Sequence, residues 1–326
     1  SVSAKTINGK KYAFDEEGRM LYGWVQGGER QTGDEAWMEA DYYFGDENDG
    51  AMSLGWRQIN IIDSNFEDIQ PGDEYWDEEQ DRWFYFQTSG KKVKADDDEK
   101  LKTKTINGQK YGFDNDGRMV SSWFTAKASE TTATSSQGHS TYSETFMYFS
   151  SPEDGARYTK GWFKVVPGYY LDQGDYDDGE ENWYYADGDG EIYADVIKTI
   201  KGKKYAFDNY GRMMDGLVLL KMEDSSTIDV KVGDEDVYDT EEAFDKFVAE
   251  NAGEIASGEL RCYYFGDSDD GAMKTGKQTV EIDGEDFTFE FKTSSSEKGA
   301  GIMGKDDHKL YNAGKLVRAG SDDKYQ

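Results

Sequence analysis

Side chains able to carry nucleophilic or acid–base chemistry are few or undistinguished in this sequence. Its 326 residues include two histidines, His139 and His308, and one cysteine, Cys262. The histidines lie far apart, and neither has the spacing of a zinc ligand set. His139 sits in a Ser/Thr-rich stretch, ASETTATSSQGHSTYSE, whose composition predicts a mobile tip rather than the fixed position a general base needs. Cys262 occupies a strand position in RCYYF, which predicts a buried structural thiol rather than a nucleophile. Aspartate and glutamate number 68, so no acidic pair is singled out by context. Three acidic stretches, DENDG (46–50), DGDGE (187–191) and DSDDG (267–271), raise the question of Ca²⁺. None has the alternating ligands and twelfth-position Glu of an EF-hand, and a tight turn explains each equally well. No catalytic residue, no metal site and no cofactor is expected, with Ca²⁺ at these loops the one ion left open.

Composition narrows the function classes further. The formal charge is −31, which repels nucleic acid and anionic lipid. It favours cationic ligands, divalent ions or simple solubility. Hydrophobic residues make up 36% and aromatics 15%, with 37 glycines and three prolines, a balance that fits short strands and turns packed through half-exposed aromatics. A lone cysteine rules out an internal disulfide, as in a cytosolic protein or a Gram-positive exported one. No run is apolar enough to insert in a membrane. The chain opens directly in its first repeat, SVSAKTING, which reads as a processed or truncated start.

What must position any binding groups is a repeat. TINGKKYAFDEEGRM (6–20) returns as TINGQKYGFDNDGRM (105–119) and TIKGKKYAFDNYGRM (199–213). Asn8-Gly9 is a type I′ hairpin turn, because both central residues need positive φ. Tyr12 and Phe14 then share one strand face. Asp15 opens a type I turn that Gly18 closes. Looser copies lie between: 41–56, 146–162 and 262–276 form a second family, and 82–93, 182–193 and a degenerate 286–299 a third, while 308–317 is a worn copy of the first. The count is about ten hairpins in a higher-order period of three, one short-tipped and two long-tipped. The long tips cover roughly 27–40, 63–81, 127–144, 167–181 and 222–259. In the last, Asp239 or Thr240 caps a short helix whose stripe of Ala243, Phe244, Phe247 and Val248 docks on the repeats. A lone hairpin is marginal in water, so neighbours must stack. The expected fold is all-β: one elongated solenoid over 1–326, with supra-repeats of roughly 1–100, 101–195 and 196–326, and one short helix in the inserted tip 222–259.

NWYYADGDG, YYFGDENDGAMSLGW and TINGKKYAFD resemble the cell-wall-binding repeat superfamily of Gram-positive surface proteins. It includes choline-binding repeats, glucan-binding repeats of glucansucrases and the repetitive oligopeptides of clostridial toxins. The pattern, a GW pair, a turn glycine, an aromatic WYY doublet and a DG-x-M loop, covers most of the chain outside the tips. In the choline-binding branch, two tryptophans of one hairpin and an aromatic of the next cage a quaternary ammonium by cation–π attraction. The resemblance implies that Trp56 and Trp83 with Tyr111, and Trp162 and Trp183 with Tyr205, are the candidate cages. At the WYY tryptophan position other copies carry Lys11, Asp41, Lys110, Phe146, Lys204 and Cys262. An ammonium of Lys11, Lys110 or Lys204 is then expected to close its cage from inside. Packing between hairpins is the competing role for all these aromatics.

The resulting expectation is a noncatalytic extracellular protein of a Gram-positive surface. It binds a cell-wall polymer such as choline-bearing teichoic acid, or a polysaccharide whose sugar rings stack on the aromatics. A different class of reading is a structural stalk or adhesin whose long tips bind a protein partner. A third is the targeting arm of a larger enzyme.

Overall fold

The computed structural model describes residues 3–63, 78–125, 146–151, 153–155, 161–169 and 171–318. The chain divides into two compact units, Ser1–Thr131 with Thr145–Thr159, and Thr132–Glu144 with Lys160–Gln326. Both are mostly β, and every paired strand is antiparallel to its neighbour.

The first unit is a succession of hairpins: Ala4–Ile7 with Lys10–Ala13, Trp24–Gln26 with Tyr42–Tyr43, Gly55–Asp63 with Glu78–Phe86, Lys102–Ile106 with Gln109–Phe113, and Ser122–Thr125 with Phe146–Phe149. Asn8 (φ 51°) and Gly9 (φ 80°) adopt the left-handed pair that the type I′ turn requires, and Asn107 and Gly108 repeat it. In the second unit Gly161–Val165 pairs with Asn182–Ala186 and Val196–Ile200 with Lys203–Phe207. Leu217–Met222 is flanked by Ile228–Val232 and Leu260–Tyr264, and the last strands form a five-stranded sheet.

Three recurring devices tie the hairpins together. The first is the FD-x-x-GRM loop. Asp15 accepts from the backbone amides of Glu17 (3.0 Å) and Arg19 (2.8 Å), while Arg19 Nε returns to its carboxylate at 2.8 Å. Asp114 with Arg118 and Asp208 with Arg212 repeat this geometry. The second is a backbone bond between hairpins. The amide of each DG-x-M position donates to the carbonyl at the WYY tryptophan position of the preceding hairpin: Met52 to Lys11 (2.8 Å), Lys92 to Asp41 (2.8 Å), Met119 to Trp83 (2.8 Å), Met213 to Trp183 (2.8 Å) and Met273 to Lys204 (2.7 Å). The third is a methionine on a glycine. A Cβ at Gly50, Gly90, Gly155, Gly271 or Gly299 would run into the side chain of Met20, Met52, Met119, Met213 or Met273 respectively. Each pair joins one hairpin to the next, which is why the turn glycine and the methionine recur together.

Several expectations are corrected. The single short helix is one of several helical segments. Glu241–Glu250 forms as read, with Thr240 accepting from the Ala243 amide at 3.0 Å and with Phe244 and Val248 buried. Ala36–Glu39, Gln173–Asp178 and Ala252–Ser257 are helical too, and Glu235–Tyr238 is a 3₁₀ turn. The 63–81 tip is shorter than expected, because the strands run on to Asp63 and restart at Glu78. In the repeat strands the residues that alternate with the aromatics are buried as well, among them Ala13, Phe84 and Ala206. The 127–144 tip and His139 lie outside the described residues.

Candidate functional site

The two expected aromatic sets do assemble, one in each unit. Strand pairing puts Trp56 opposite Tyr85 and Gln58 opposite Trp83, so both tryptophans project from one sheet face on a diagonal. Their ring centroids are 6.2 Å apart at 89°. Tyr85 closes on Trp56 at 5.2 Å, and the next hairpin supplies Tyr111 at 4.9 Å and Phe113 at 5.7 Å. In the second unit Trp162 lies opposite Tyr185 and Lys164 opposite Trp183. The distances repeat: Trp183 at 6.3 Å and 87°, Tyr185 at 5.2 Å, Tyr205 at 4.8 Å and Phe207 at 5.5 Å. All six expected residues are half-buried.

Tyr85, Phe113, Tyr185 and Phe207 are members that reading by motif did not single out. The signal for them was present, since each lies two residues beyond a named aromatic and so on the same strand face. Ammonium groups already visit the tyrosine rings. Lys104 Nζ lies 5.9 Å over Tyr85 and Lys198 Nζ 5.1 Å over Tyr193, which itself stacks on Tyr185 at 5.2 Å. The second cluster differs in having Lys164 Nζ 5.9 Å from the Trp183 ring. The Trp183 indole N–H is buried with no acceptor among the described residues, a donor that costs free energy while unpaired.

A third cluster has the same plan and a different fate. Trp24 meets Tyr43 at 4.9 Å in its own hairpin, and Phe84 at 5.3 Å and Phe86 at 6.1 Å in the next. Asp41 stands at the second tryptophan position. Lys92, in the slot that Met119 and Met213 fill elsewhere, is 1% exposed and puts Nζ 5.4 Å over Trp24. It donates to the carbonyls of Trp37 (2.5 Å) and Met38 (3.4 Å), on the helical turn Ala36–Glu39 that covers the site. Burial lowers the Lys92 pKa to about 8, against the opposing pull of Asp41. The expectation that Lys11, Lys110 or Lys204 plugs a cage is therefore corrected. Lys11 and Lys110 are exposed, Lys204 is half-buried, and none of the three lies over an aromatic ring among the described residues. The internal cation lies instead in the methionine slot of the next hairpin, where the Lys92 amide bonds the Asp41 carbonyl as Met119 bonds that of Trp83.

The loop arginines follow the tips. Arg19 is exposed, whereas Arg118 is fully buried with its guanidinium 5.1 Å over Trp37. Arg212 binds Asp208 at 2.7 Å and reaches Asp175 (2.9 Å) and Asp172 (3.3 Å) of the acidic tip. Burial raises Asp172 to about 6 despite Arg212, while hydrogen bonds from Asn182 and Arg212 outweigh burial at Asp175 and hold it low. The acidic tip is thus anchored at its base rather than solvated throughout.

Among the described residues no three or more His, Cys, Asp or Glu side chains converge on a metal position. Asp187 and Asp46 spend their carboxylates on amides of their own turns. Cys262 is buried in the core, and burial raises its pKa far above the thiol range. Among the described residues no helix is long and apolar enough to cross a membrane.

No family model matches the chain. Over 255 residues it is 26% identical to Glucosyltransferase-S of Streptococcus mutans, a match covering 66% of this chain and 15% of that protein. The modular autolysin LytC from Streptococcus pneumoniae matches 98% of this chain and 48% of its own, at 17% identity and a TM-score of 0.42. Choline binding protein F from Streptococcus pneumoniae matches 97% of this chain and 99% of its own, at 20% identity and a TM-score of 0.29. Scores this low do not establish a shared arrangement. The sequence match and the repeated motifs make the chain similar to the cell-wall-binding repeat superfamily.

Proposed function

We propose that the protein is a noncatalytic extracellular repeat protein of a Gram-positive surface that binds a cell-wall polymer or polysaccharide. Its sites are the two half-exposed clusters, Trp56–Trp83–Tyr111 and Trp162–Trp183–Tyr205, and its ligand group is a choline-type cation or a sugar ring. The observation that carries this reading is the repetition of one edge-on tryptophan pair, 6.2 Å and 89° in one unit and 6.3 Å and 87° in the other, with rings left partly open. A quaternary ammonium gains about 0.5–2 kcal/mol on an aromatic face and needs no hydrogen bond. A sugar ring lays its C–H face on the same surface. The chain's charge of −31 also favours a cation. The hairpin-to-hairpin bond that recurs in both units supports stacking of successive hairpins within each unit.

The test is pull-down on purified Gram-positive cell walls, with and without teichoic acid, beside a panel of soluble glycans. Retention on walls or on one glycan, lost with Trp56→Ala plus Trp162→Ala, is the expected result. Retention on none would overturn it and favour a stalk or adhesin.

A further inference from the structure

The first unit contains a groove of about 260 Å³ whose charge is opposite to that of the chain. Lys91, Lys92, Lys94, Lys102 and Lys104 line it, with Asp96 the one carboxylate in the lining. Lys92 turns its ammonium away to the carbonyls of Trp37 and Met38. Lys94 and Lys91 lean on Asp41, at 3.2 Å and 4.0 Å. Lys102 and Lys104 stand two apart on the strand Lys102–Ile106, so they share a face, and neither forms an ion pair among the described residues. In a molecule of charge −31 a cationic groove with two ammonium groups outside any ion pair among the described residues, one of them 5.9 Å over the Tyr85 ring, needs a reason.

The repeat shows that folding is not that reason. The second unit builds the same substructure, with Gln87 N–H on the Lys91 carbonyl matched by Asp187 on Glu191, and Val93 on Tyr85 matched by Tyr193 on Tyr185. The bridges Phe86–Lys92 and Ala186–Ile192 also correspond, as do the pairs Lys102–Phe113 and Val196–Phe207. At the places of Lys91, Lys92, Lys94 and Lys102, the second unit has Glu191, Ile192, Ala194 and Val196. Only Lys104 has a lysine counterpart, Lys198.

We propose that this groove is an anion site that takes the phosphate group of a phosphate ester, held by Lys102 and Lys104 with Lys91 and Lys94 at its rim. Lysine ammonium groups on flexible stems can converge on a tetrahedral oxyanion of charge near −2. A single carboxylate has half that charge and would fill little of the groove. The site stands whether or not the neighbouring aromatic cluster binds anything, because no ring is required to hold the phosphate.

The full chain is titrated with inorganic phosphate at fixed ionic strength, with phosphorus NMR line broadening as the readout. Saturable broadening is expected, and Lys102→Gln plus Lys104→Gln weakens it by about tenfold, the loss of two exposed charge-assisted contacts of about threefold each. Lys102→Gln alone, at an exposed position that folding does not need, weakens it about threefold. Lys305→Gln plus Lys309→Gln, on another hairpin, leaves it unchanged, and glucuronate displaces phosphate poorly. Tighter binding of glycerol phosphate than of inorganic phosphate would point to a phosphate monoester, such as the terminal phosphate of a larger molecule, as the source, and the reverse to free phosphate. The proposal is overturned if the groove variants bind like the unaltered chain, if the control pair loses as much, or if glucuronate competes equally.

Discussion

Trp24 and Trp56 sit at the same place in successive hairpins of one unit, yet one is closed and the other partly open. Each meets a tyrosine of its own hairpin and two rings of the next, at closely similar distances. The difference comes from two residues outside the ring set. Around Trp24 the second tryptophan is replaced by Asp41 and the methionine slot by Lys92, whose buried ammonium lies over the ring under the turn Ala36–Glu39. Around Trp56 those places hold Trp83 and Met119, and no tip helix covers them among the described residues. Trp162 follows Trp56, with Trp183 and Met213. The repeat therefore supplies a neutral frame, and the slot residue together with the tip decides whether the frame carries an internal cation or offers its rings outward.

The largest effect should separate the two tryptophans by stability. Trp24→Ala removes a side chain that is 8% exposed and should cost about 3–5 kcal/mol in urea unfolding. Trp56→Ala, half-buried, should cost about half as much. Equal losses would break the distinction. Next comes pH. The Lys92 pKa falls from 10.5 to about 8 on folding, so between those values the unfolded chain holds more protons and stability rises with pH. Relative to Lys92→Met, the natural chain should gain on the order of 3 kcal/mol from pH 8 to 10.5. A flat difference would mean that the buried ammonium carries no penalty.

At neutral pH, Lys92→Met places in this slot the residue found at 119 and 213. It should leave stability unchanged or raise it by about 1–2 kcal/mol, since an apolar replacement for a buried charge is often tolerated. A clear loss would show that the carbonyl bonds of Lys92 outweigh its desolvation. The smallest effect concerns the two open clusters. Gln58 faces Trp83 where Lys164 faces Trp183. Lys164→Gln should tighten choline at the second cluster by about two- to threefold, because an exposed like charge contributes little. An unchanged affinity would place the ligand elsewhere than on Trp183.

Much of this was legible in residues that act locally. Asn8-Gly9 specifies its turn, Thr240 caps its helix, and the Trp-x-Tyr and Trp-x-x spacings put the right rings on one face. What escaped depends on contacts between distant segments. Lys92 lies in TSGKKV, which reads as a solvated turn, and its burial comes from Trp37, 55 residues earlier. Arg118 repeats the exposed Arg19 in sequence and differs only because the same tip covers it. The acidic tip near Asp175 reads as a charged coat, yet Asp172 caps a helix there and Arg212 holds it from 37 residues away. Local chemistry determines turns and strand faces, whereas tip packing determines which copies of a repeated residue are buried.

The most direct test is tryptophan fluorescence during choline titration of the natural chain and of Trp56→Phe, Trp162→Phe and Trp24→Phe, with a soluble α-glucan in a parallel arm. The account predicts a saturable change with choline or the glucan. Trp56→Phe and Trp162→Phe should each remove about half of it, while Trp24→Phe leaves it intact, because Lys92 already occupies that ring face. A response abolished by Trp24→Phe, or no response to either ligand, would contradict it.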